Sequence, residues 1–217
     1  MTARRADAVL VVLALCGCGP HAATSPATPQ VGPSHAAARA DSPPPRVTET
    51  ATRGCDDPRL TRLVLGFRRA VATADGTALQ RVTSPVRGLS LQQDETNIAV
   101  VIAWTDLASI FVSQAPRAWG ENDMSEEPVV GSFRAQMLPT LQRAVGGPGN
   151  QAVCGSLLTG GSAATYAWPE GFAALTPVSL YVPSTDGTND WVTWAAGVEY
   201  LDEKPYVVAL VRYQYEI

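Results

Sequence analysis

Apolar and polar residues alternate differently in the two halves of the chain beyond residue 53. Asp57 and Pro58 are a favoured helix cap and first helical residue. Behind them the apolar residues have helical spacing, at Leu60, Leu63, Val64, Phe67, Val71 and Ala74. This stripe predicts a helix that stops at Asp75-Gly76, and a short second helix over 77–82. Residues 132–145 predict another helix, interrupted at Pro139.

Strand patterns dominate the second half and close the chain. The predicted strands lie at 88–91, 98–101, 163–168, 178–182, 191–200 and 206–217, with a helix favoured from Thr105. The last two strands form a hairpin that residues 201–205 connect. Helices first and an antiparallel sheet afterwards predict an α+β fold, in which N-terminal helices pack on the apolar face of a curved sheet.

The closing hairpin also predicts its own register. If Leu201 faces Tyr206, every opposed pair on one face is apolar or aromatic, namely Tyr200/Val207, Val198/Ala209, Ala196/Val211, Trp194/Tyr213 and Val192/Tyr215. A slip by one residue would mix this face with the other, mostly polar one. Trp191 then falls on the polar face, where an exposed indole could stack on a sugar ring or anchor a protein partner. The alternative is that another strand or helix covers it.

The first 53 residues have the composition of a signal and a linker. Two arginines precede an apolar run over 8–15, which predicts a removable export signal at 1–17, because about 12 Å of helix cannot span about 30 Å of hydrocarbon. Residues 18–53 hold seven prolines and few aliphatic side chains, so we expect a disordered tether. The remaining residues, 54–217, are predicted to form a single globular domain.

The stretch Leu15-Cys16-Gly17-Cys18 resembles the bacterial lipobox. The resemblance implies that Cys18 becomes the acylated N-terminus and anchors the protein permanently to a membrane. One alternative is acylation at Cys16, which would put Leu15 at the position where the family has Gly or Ala. A second alternative is an ordinary secretory signal without lipidation. Because Gly19 is not the aspartate of an inner-membrane retention signal, the resemblance implies an outer-membrane lipoprotein facing the periplasm or the cell surface.

Cys55 and Cys154 are the cysteines that remain once Cys18 carries the lipid. An even pair in an exported protein predicts a disulfide, and two separate buried thiols are the alternative. A bridge that closes about 100 residues would constrain the unfolded chain by up to about 4.7 kcal/mol on the entropy model.

The ionisable residues of 54–217 restrict the chemistry open to the domain. Eleven Arg and Lys against 17 Asp and Glu give a net charge of −6, which argues against a nucleic-acid partner. The clustered arginines Arg59, Arg62, Arg68 and Arg69 indicate the solvated face of the first helix. With no histidine and a single lysine, Lys204, the domain lacks histidine-dependent triads and histidine-ligated metal sites. We therefore predict no cofactor and no metal.

Carboxylates remain as the groups for acid–base catalysis. Glu121 and Asp123 follow Trp119 closely, so one hypothesis is a carboxylate pair in an aromatic-lined cleft, as glycosidases use. The alternative is that both are solvated loop residues.

The arrangement of a first helix ending FRRAVATADG, the short helix TALQRVTSP and long closing strands resembles the cone-shaped NTF2-like fold. The chain is also similar to uncharacterised bacterial lipoproteins in an "L..vsP.rGl" segment, a "WG" pair and a "W…VEY.d.KPY…L" hairpin. The matching residues are Leu79, Ser84, Pro85, Gly88, Leu89, Trp119, Gly120, Trp194, Glu199, Tyr200, Lys204, Pro205, Tyr206 and Leu210. Neither resemblance implies an activity.

These patterns together predict a lipid-anchored, non-catalytic binding or structural module of the cell envelope. Its expected partners are the membrane, through the anchor, and an envelope protein or a cell-wall glycan. A carboxylate-dependent hydrolase of glycans or peptidoglycan is the first alternative. A carrier that holds a small ligand in an NTF2-like pocket is the second.

Overall fold

The computed structural model describes residues 46–49, 54–93, 96–122, 125–161, 166–185 and 189–214, the first of these ranges by its backbone alone. Within these ranges the α-helices are Pro58–Ala72 (α1), Gly76–Val82 (α2), Phe133–Gln136 (α3) and Leu138–Gly146 (α4), and the 3-10 helices are Trp104–Ser109 and Glu170–Phe172. None of them is long and apolar enough to cross a membrane.

The helices begin and end where local chemistry requires. The Asp57 side chain accepts a hydrogen bond from the Arg59 N–H, with Pro58 as the first residue of α1. Asp75 caps α2 in the same way. The helix predicted over 132–145 is divided at Met137, because Pro139 has no N–H with which to continue the hydrogen bonds of α3.

The strands of the described ranges are Arg46–Glu49 (β1), Leu89–Gln93 (β2), Val100–Ile102 (β3), Arg117–Glu121 (β4), Pro128–Gly131 (β5), Gln151–Cys154 (β6), Ser156–Thr159 (β7), Thr176–Val182 (β8), Val192–Leu201 (β9) and Lys204–Gln214 (β10). Six of them form the central sheet in the order β3-β2-β10-β9-β8-β6, while β1 pairs with β7 and β4 with β5. The α+β class is confirmed. The sheet is mixed rather than antiparallel, because β10 lies beside β2 in the same direction.

Several strands differ from the prediction. β1 lies within residues predicted to be tether, and it pairs antiparallel with β7. The strand predicted over 163–168 is wrong at 166–168, which form no strand, and its other residues lie outside the described ranges. There the Trp168 indole N–H donates to the Phe172 carbonyl at 2.8 Å, so the segment folds on itself. The short strands β4 to β7 were not predicted, since four or five residues carry little periodic signal.

The hairpin register is also corrected. Asp202 and Glu203 alone form the turn, so Leu201 pairs with Lys204 and not with Tyr206. A two-residue loop therefore replaces the longer connection that the sequence predicted. Both turn residues have positive φ, 47° and 63°, as a type I′ hairpin turn requires.

A bulge in β10 then reverses which residues face the helices. The register shifts between Val207 and Ala209, so Val208 is the extra residue. Ala209, Val211 and Tyr213 consequently lie on the face opposite Trp194, against the predicted pairing.

Both faces of the central sheet are buried. The helix face packs against α1, α2, α3 and α4 around Phe67, Trp119 and Trp194. The other face, predicted to be mostly polar, forms a second core with β7 and residues 166–175. Two of its polar side chains bond to β7: the Thr193 hydroxyl donates to the Leu158 carbonyl at 2.6 Å, and the Ser179 hydroxyl donates to the Ser156 carbonyl at 2.7 Å. Each face thus has its own core.

Candidate functional site

The two tryptophans predicted to bind a ligand lie in different cores. Trp119 is fully buried on the helix face, where its indole N–H donates to the Gly131 carbonyl at 2.8 Å. Trp191 is 2% exposed in the second core, and its ring meets Tyr166 edge-on at 5.4 Å between centroids. Of the two interpretations of Trp191, an exposed indole and an indole covered by another element, the structure shows the second, because β7 and residues 166–175 cover this face. The structure therefore does not bring the two indoles into one site.

The predicted carboxylate pair is described only in part. Glu121 is exposed at the end of β4, and its N–H donates to the Asn97 side chain at 2.8 Å. Asp123 lies outside the described residues. Another carboxylate, Asp106, forms a salt bridge with Arg117 at 3.3 Å beside a cavity of about 220 Å³.

The predicted disulfide is present. Cys55, just before α1, is bonded to Cys154 at the end of β6, with 5.7 Å between their Cα atoms. The bridge attaches the start of the first helix to an edge strand of the central sheet. Cys18, the predicted lipid carrier, lies outside the described residues.

A groove of about 450 Å³ lies where the N-terminal helices meet the turn of the closing hairpin, and we call it the α1–hairpin groove. Its apolar lining is Leu63, Val82 and Pro205, and its charged lining is Arg59, Arg62, Arg81, Asp202, Glu203 and Lys204. The lining holds four cations and two carboxylates, and Asp57 forms a salt bridge with Arg59, so the net charge here is +1 in a domain whose own net charge is −6. An anion would therefore be attracted to this part of the surface.

The walls of the groove are held together by one polar cluster. The Tyr200 hydroxyl of β9 donates to Asp57 at 3.0 Å, and Arg59 forms a salt bridge with Asp57 at 2.9 Å. The Arg59 N–H, which donates to the carboxylate, lowers the pKa of Asp57 below its usual 3.8, and Tyr200 and the guanidinium add to the effect. Burial raises the pKa of Tyr200 above 10, with a further contribution from Asp57. The cluster thus ties the helix cap to the hairpin.

The cations of the groove differ in how far the protein already engages them. Arg59 is paired with Asp57 and lies over the Tyr200 ring, and the Lys204 ammonium lies 4.7 Å from the centre of the Tyr206 ring. Arg62 and Arg81 are exposed. Among the described residues, neither side chain forms a salt bridge or a side-chain hydrogen bond. These two guanidinium groups come from α1 and α2 with their donors available.

Much of the hairpin motif that resembles bacterial lipoproteins lies at this end of the fold. Lys204 and Pro205 line the groove, and Tyr200 supports its wall. Glu199 accepts from Arg87 at 2.6 Å, which connects the hairpin to the turn before β2. The sequence predicts Arg62 on a solvated helix face, and no pattern in it singles out Arg81. Only the packing of α2 and the hairpin against α1 shows that they converge.

Comparison with known proteins leaves the family open. No family model and no curated protein matches the chain. Among solved structures, an NTF2-like protein of unknown function from Shewanella baltica OS155 is similar, with a TM-score of 0.34 and 9% identity over 77% of this chain and 100% of that one. A likeness of this size does not establish a shared fold.

Proposed function

We propose that the protein is a non-catalytic binding module of the cell envelope, which holds a ligand with an anionic group in the α1–hairpin groove. We further propose that it is exported and anchored to the outer membrane through lipid on Cys18, with a tether between the anchor and the domain. The ligand would belong to an envelope protein or to cell-wall material.

The observation that supports binding is the convergence of Arg62 and Arg81 on one groove. They project from separate helices, the described residues supply no carboxylate partner to either, and Lys204 adds a third cation. A planar guanidinium recognises carboxylate or phosphate oxygens through paired hydrogen bonds, which are stronger when both groups are charged. Two such groups in one groove form an anion-recognition surface.

The alternative functions have less support from the described contacts. The hydrolase depends on Glu121, which is exposed, and on Asp123, which lies outside the described residues. The NTF2-like carrier requires a deep apolar pocket under the sheet, but Phe67, Trp119 and Trp194 fill the helix face there. Both stay predictions from the sequence.

Titration of the full chain with two anions tests the binding site. The probes are inorganic phosphate and N-acetyl-trialanine, which carries a carboxylate and no amine, and binding is measured by calorimetry. We expect at least one probe to bind, and Arg62→Gln/Arg81→Gln to raise its Kd about tenfold or more, because each charged hydrogen bond contributes about 1.5–3 kcal/mol. The matched control is Arg69→Gln/Arg134→Gln, which removes the same charge from exposed positions outside the groove.

Two results would contradict the proposed site. One is that neither anion binds the wild-type chain. The other is that the control variant loses as much affinity as the groove variant, which would assign the effect to net charge alone.

Metabolic labelling with an alkyne-bearing fatty acid tests the anchor. We expect the mature protein to be labelled, Cys18→Ala to abolish the label, and Cys16→Ala to leave it intact. An unlabelled wild-type protein would contradict lipidation, and loss of label only in Cys16→Ala would move the anchor to that residue.

A further inference from the structure

The turn of the closing hairpin carries residues that its backbone does not favour. Asp202 and Glu203 both have positive φ, 47° and 63°. Type I′ turns are dominated by Asn-Gly and Asp-Gly, because glycine adopts this conformation without the clash between Cβ and the backbone. Asp is common at the first central position of such a turn, which Asp202 occupies. Glu203 occupies the second central position, where glycine would avoid the backbone strain of a positive φ.

Internal contacts do not account for this choice of residues. Asp202 and Glu203 are exposed, and neither side chain takes part in a salt bridge or hydrogen bond recorded for the described residues. Both do line the α1–hairpin groove, together with Arg62 and Arg81 from the helices. Positive φ alone does not identify a site, since exposed Glu126 also has it, at 55°. The position of the two carboxylates beside two guanidinium groups is what points to a role in the groove.

The charges of the groove are distributed by element. The helices α1 and α2 contribute Arg59, Arg62 and Arg81, while both carboxylates come from the hairpin turn beside Lys204. A ligand with several negative charges would be attracted to the arginines and repelled by the turn. A ligand with one anionic and one cationic end would find an opposite charge for each.

We infer that the ligand is a small zwitterion, of the chemical class of a short peptide with a free amine and a free carboxylate. Arg62 and Arg81 bind the carboxylate, and Asp202 and Glu203 bind the ammonium group. The volume of about 450 Å³ is within the range of small-molecule sites, roughly 300–1,000 Å³. This inference rests on the proposed function, since it names the ligand class of the same groove.

Three forms of one peptide distinguish the contribution of its carboxylate to binding from that of its amine. Trialanine with free termini is the zwitterion, N-acetyl-trialanine keeps only the carboxylate, and trialanine amide keeps only the amine. Calorimetry with the full chain should give the tightest binding for the zwitterion. In Asp202→Asn/Glu203→Gln its Kd should rise about tenfold, whereas the Kd of N-acetyl-trialanine should stay constant or fall. The matched control, Glu126→Gln/Glu127→Gln, removes two exposed carboxylates elsewhere and should change neither value.

A second variant tests whether the turn residues are retained for binding. Glu203→Gly should raise Tm by about 2 °C, because glycine relieves the positive φ, and should weaken binding of free trialanine. A gain in stability with unchanged binding would overturn the inference.

The outcomes also distinguish this inference from the proposed function. Equal affinity for the free and acetylated peptides, with both lost in Arg62→Gln/Arg81→Gln, would leave an anion site and overturn the zwitterion. Failure of all three peptides to bind overturns the zwitterion as well. If phosphate then binds through the same arginines, the proposed anion site stands without it.

Discussion

Replacing Trp191 by alanine tests the second core, which the sequence did not predict. The indole is 2% exposed, and the absence of a side chain at Gly160 leaves room for its ring. A buried tryptophan covers about 150–250 Å², which corresponds to about 4–6 kcal/mol at roughly 25 cal/mol per Å². A compact unfolded state reduces this by roughly 10–40%. The indole N–H lacks a hydrogen-bond partner among the described residues. Because the substitution also removes this buried, unpaired donor, the loss of stability is smaller by about 1 kcal/mol.

The expected loss of unfolding free energy is therefore about 3 kcal/mol, in the lower part of the range for large aromatic residues truncated in cores. Urea unfolding followed by far-ultraviolet circular dichroism measures it without relying on tryptophan fluorescence. Trp191→Phe, which keeps a ring and removes the unpartnered donor, should lose about 1 kcal/mol or less. Ile98→Ala, at a side chain 88% exposed, should change stability by less than about 0.5 kcal/mol. If Trp191→Ala matched Ile98→Ala, the indole would lie on the surface and the second core would be wrong.

Three further predictions concern contacts that hold α1 against the rest of the domain. Cys55→Ser/Cys154→Ser should lower the unfolding free energy by about 3 kcal/mol, because the bridge joins residues 99 apart in sequence and its loss gives the unfolded chain more conformational freedom. A loss under about 1 kcal/mol in urea unfolding would contradict this. Asp57→Asn keeps a helix cap but loses the charge. Since the folded pKa of Asp57 is lowered, its stabilisation is present above the ordinary 3.8 and lost as pH falls through the folded pKa. The unfolding free energy of the wild type should therefore be larger than that of the variant at neutral pH, and the two values should converge in acid. A difference in unfolding free energy that stays constant across a pH series of urea titrations would refute this role of the Asp57 charge. Arg68→Met removes donors that lie 2.8 and 3.2 Å from the Val145 carbonyl, and should lower Tm by about 3–6 °C; an unchanged Tm would show that the contact is not formed in solution.

Features set by neighbouring residues were predictable from the sequence. The Asp57-Pro58 cap and the apolar spacing gave the start and buried face of α1, because helix formation depends on contacts three and four residues apart. The disulfide followed from the parity of cysteines in an exported chain, an argument that needs no geometry.

The strand register was not predictable in the same way. The turn lacks the Asn-Gly or Asp-Gly signal of a two-residue loop, and Pro205 favours a longer loop. The bulge at Val208 leaves no mark in an apolar run, since the residues on both sides are apolar. One extra residue exchanges the two faces of β10 beyond it, and the prediction for that strand was therefore inverted.

The candidate site depends on tertiary structure throughout. Arg62, Arg81 and Glu203 come from three elements, and no spacing along the chain places them together. The polar residues around Trp191 are compatible with either solvent or another strand on that face, and Thr193 and Ser179 in fact bind the backbone of β7. Polar side chains on a strand can face another strand as well as solvent.

A crystal structure of the full chain with N-acetyl-trialanine tests the central claim most directly, because it locates the anion. The account predicts the peptide carboxylate in the α1–hairpin groove, within hydrogen-bond distance of the guanidinium groups of Arg62 and Arg81. A peptide bound with its carboxylate elsewhere, and a groove that stays empty while the peptide binds in solution, would each contradict it.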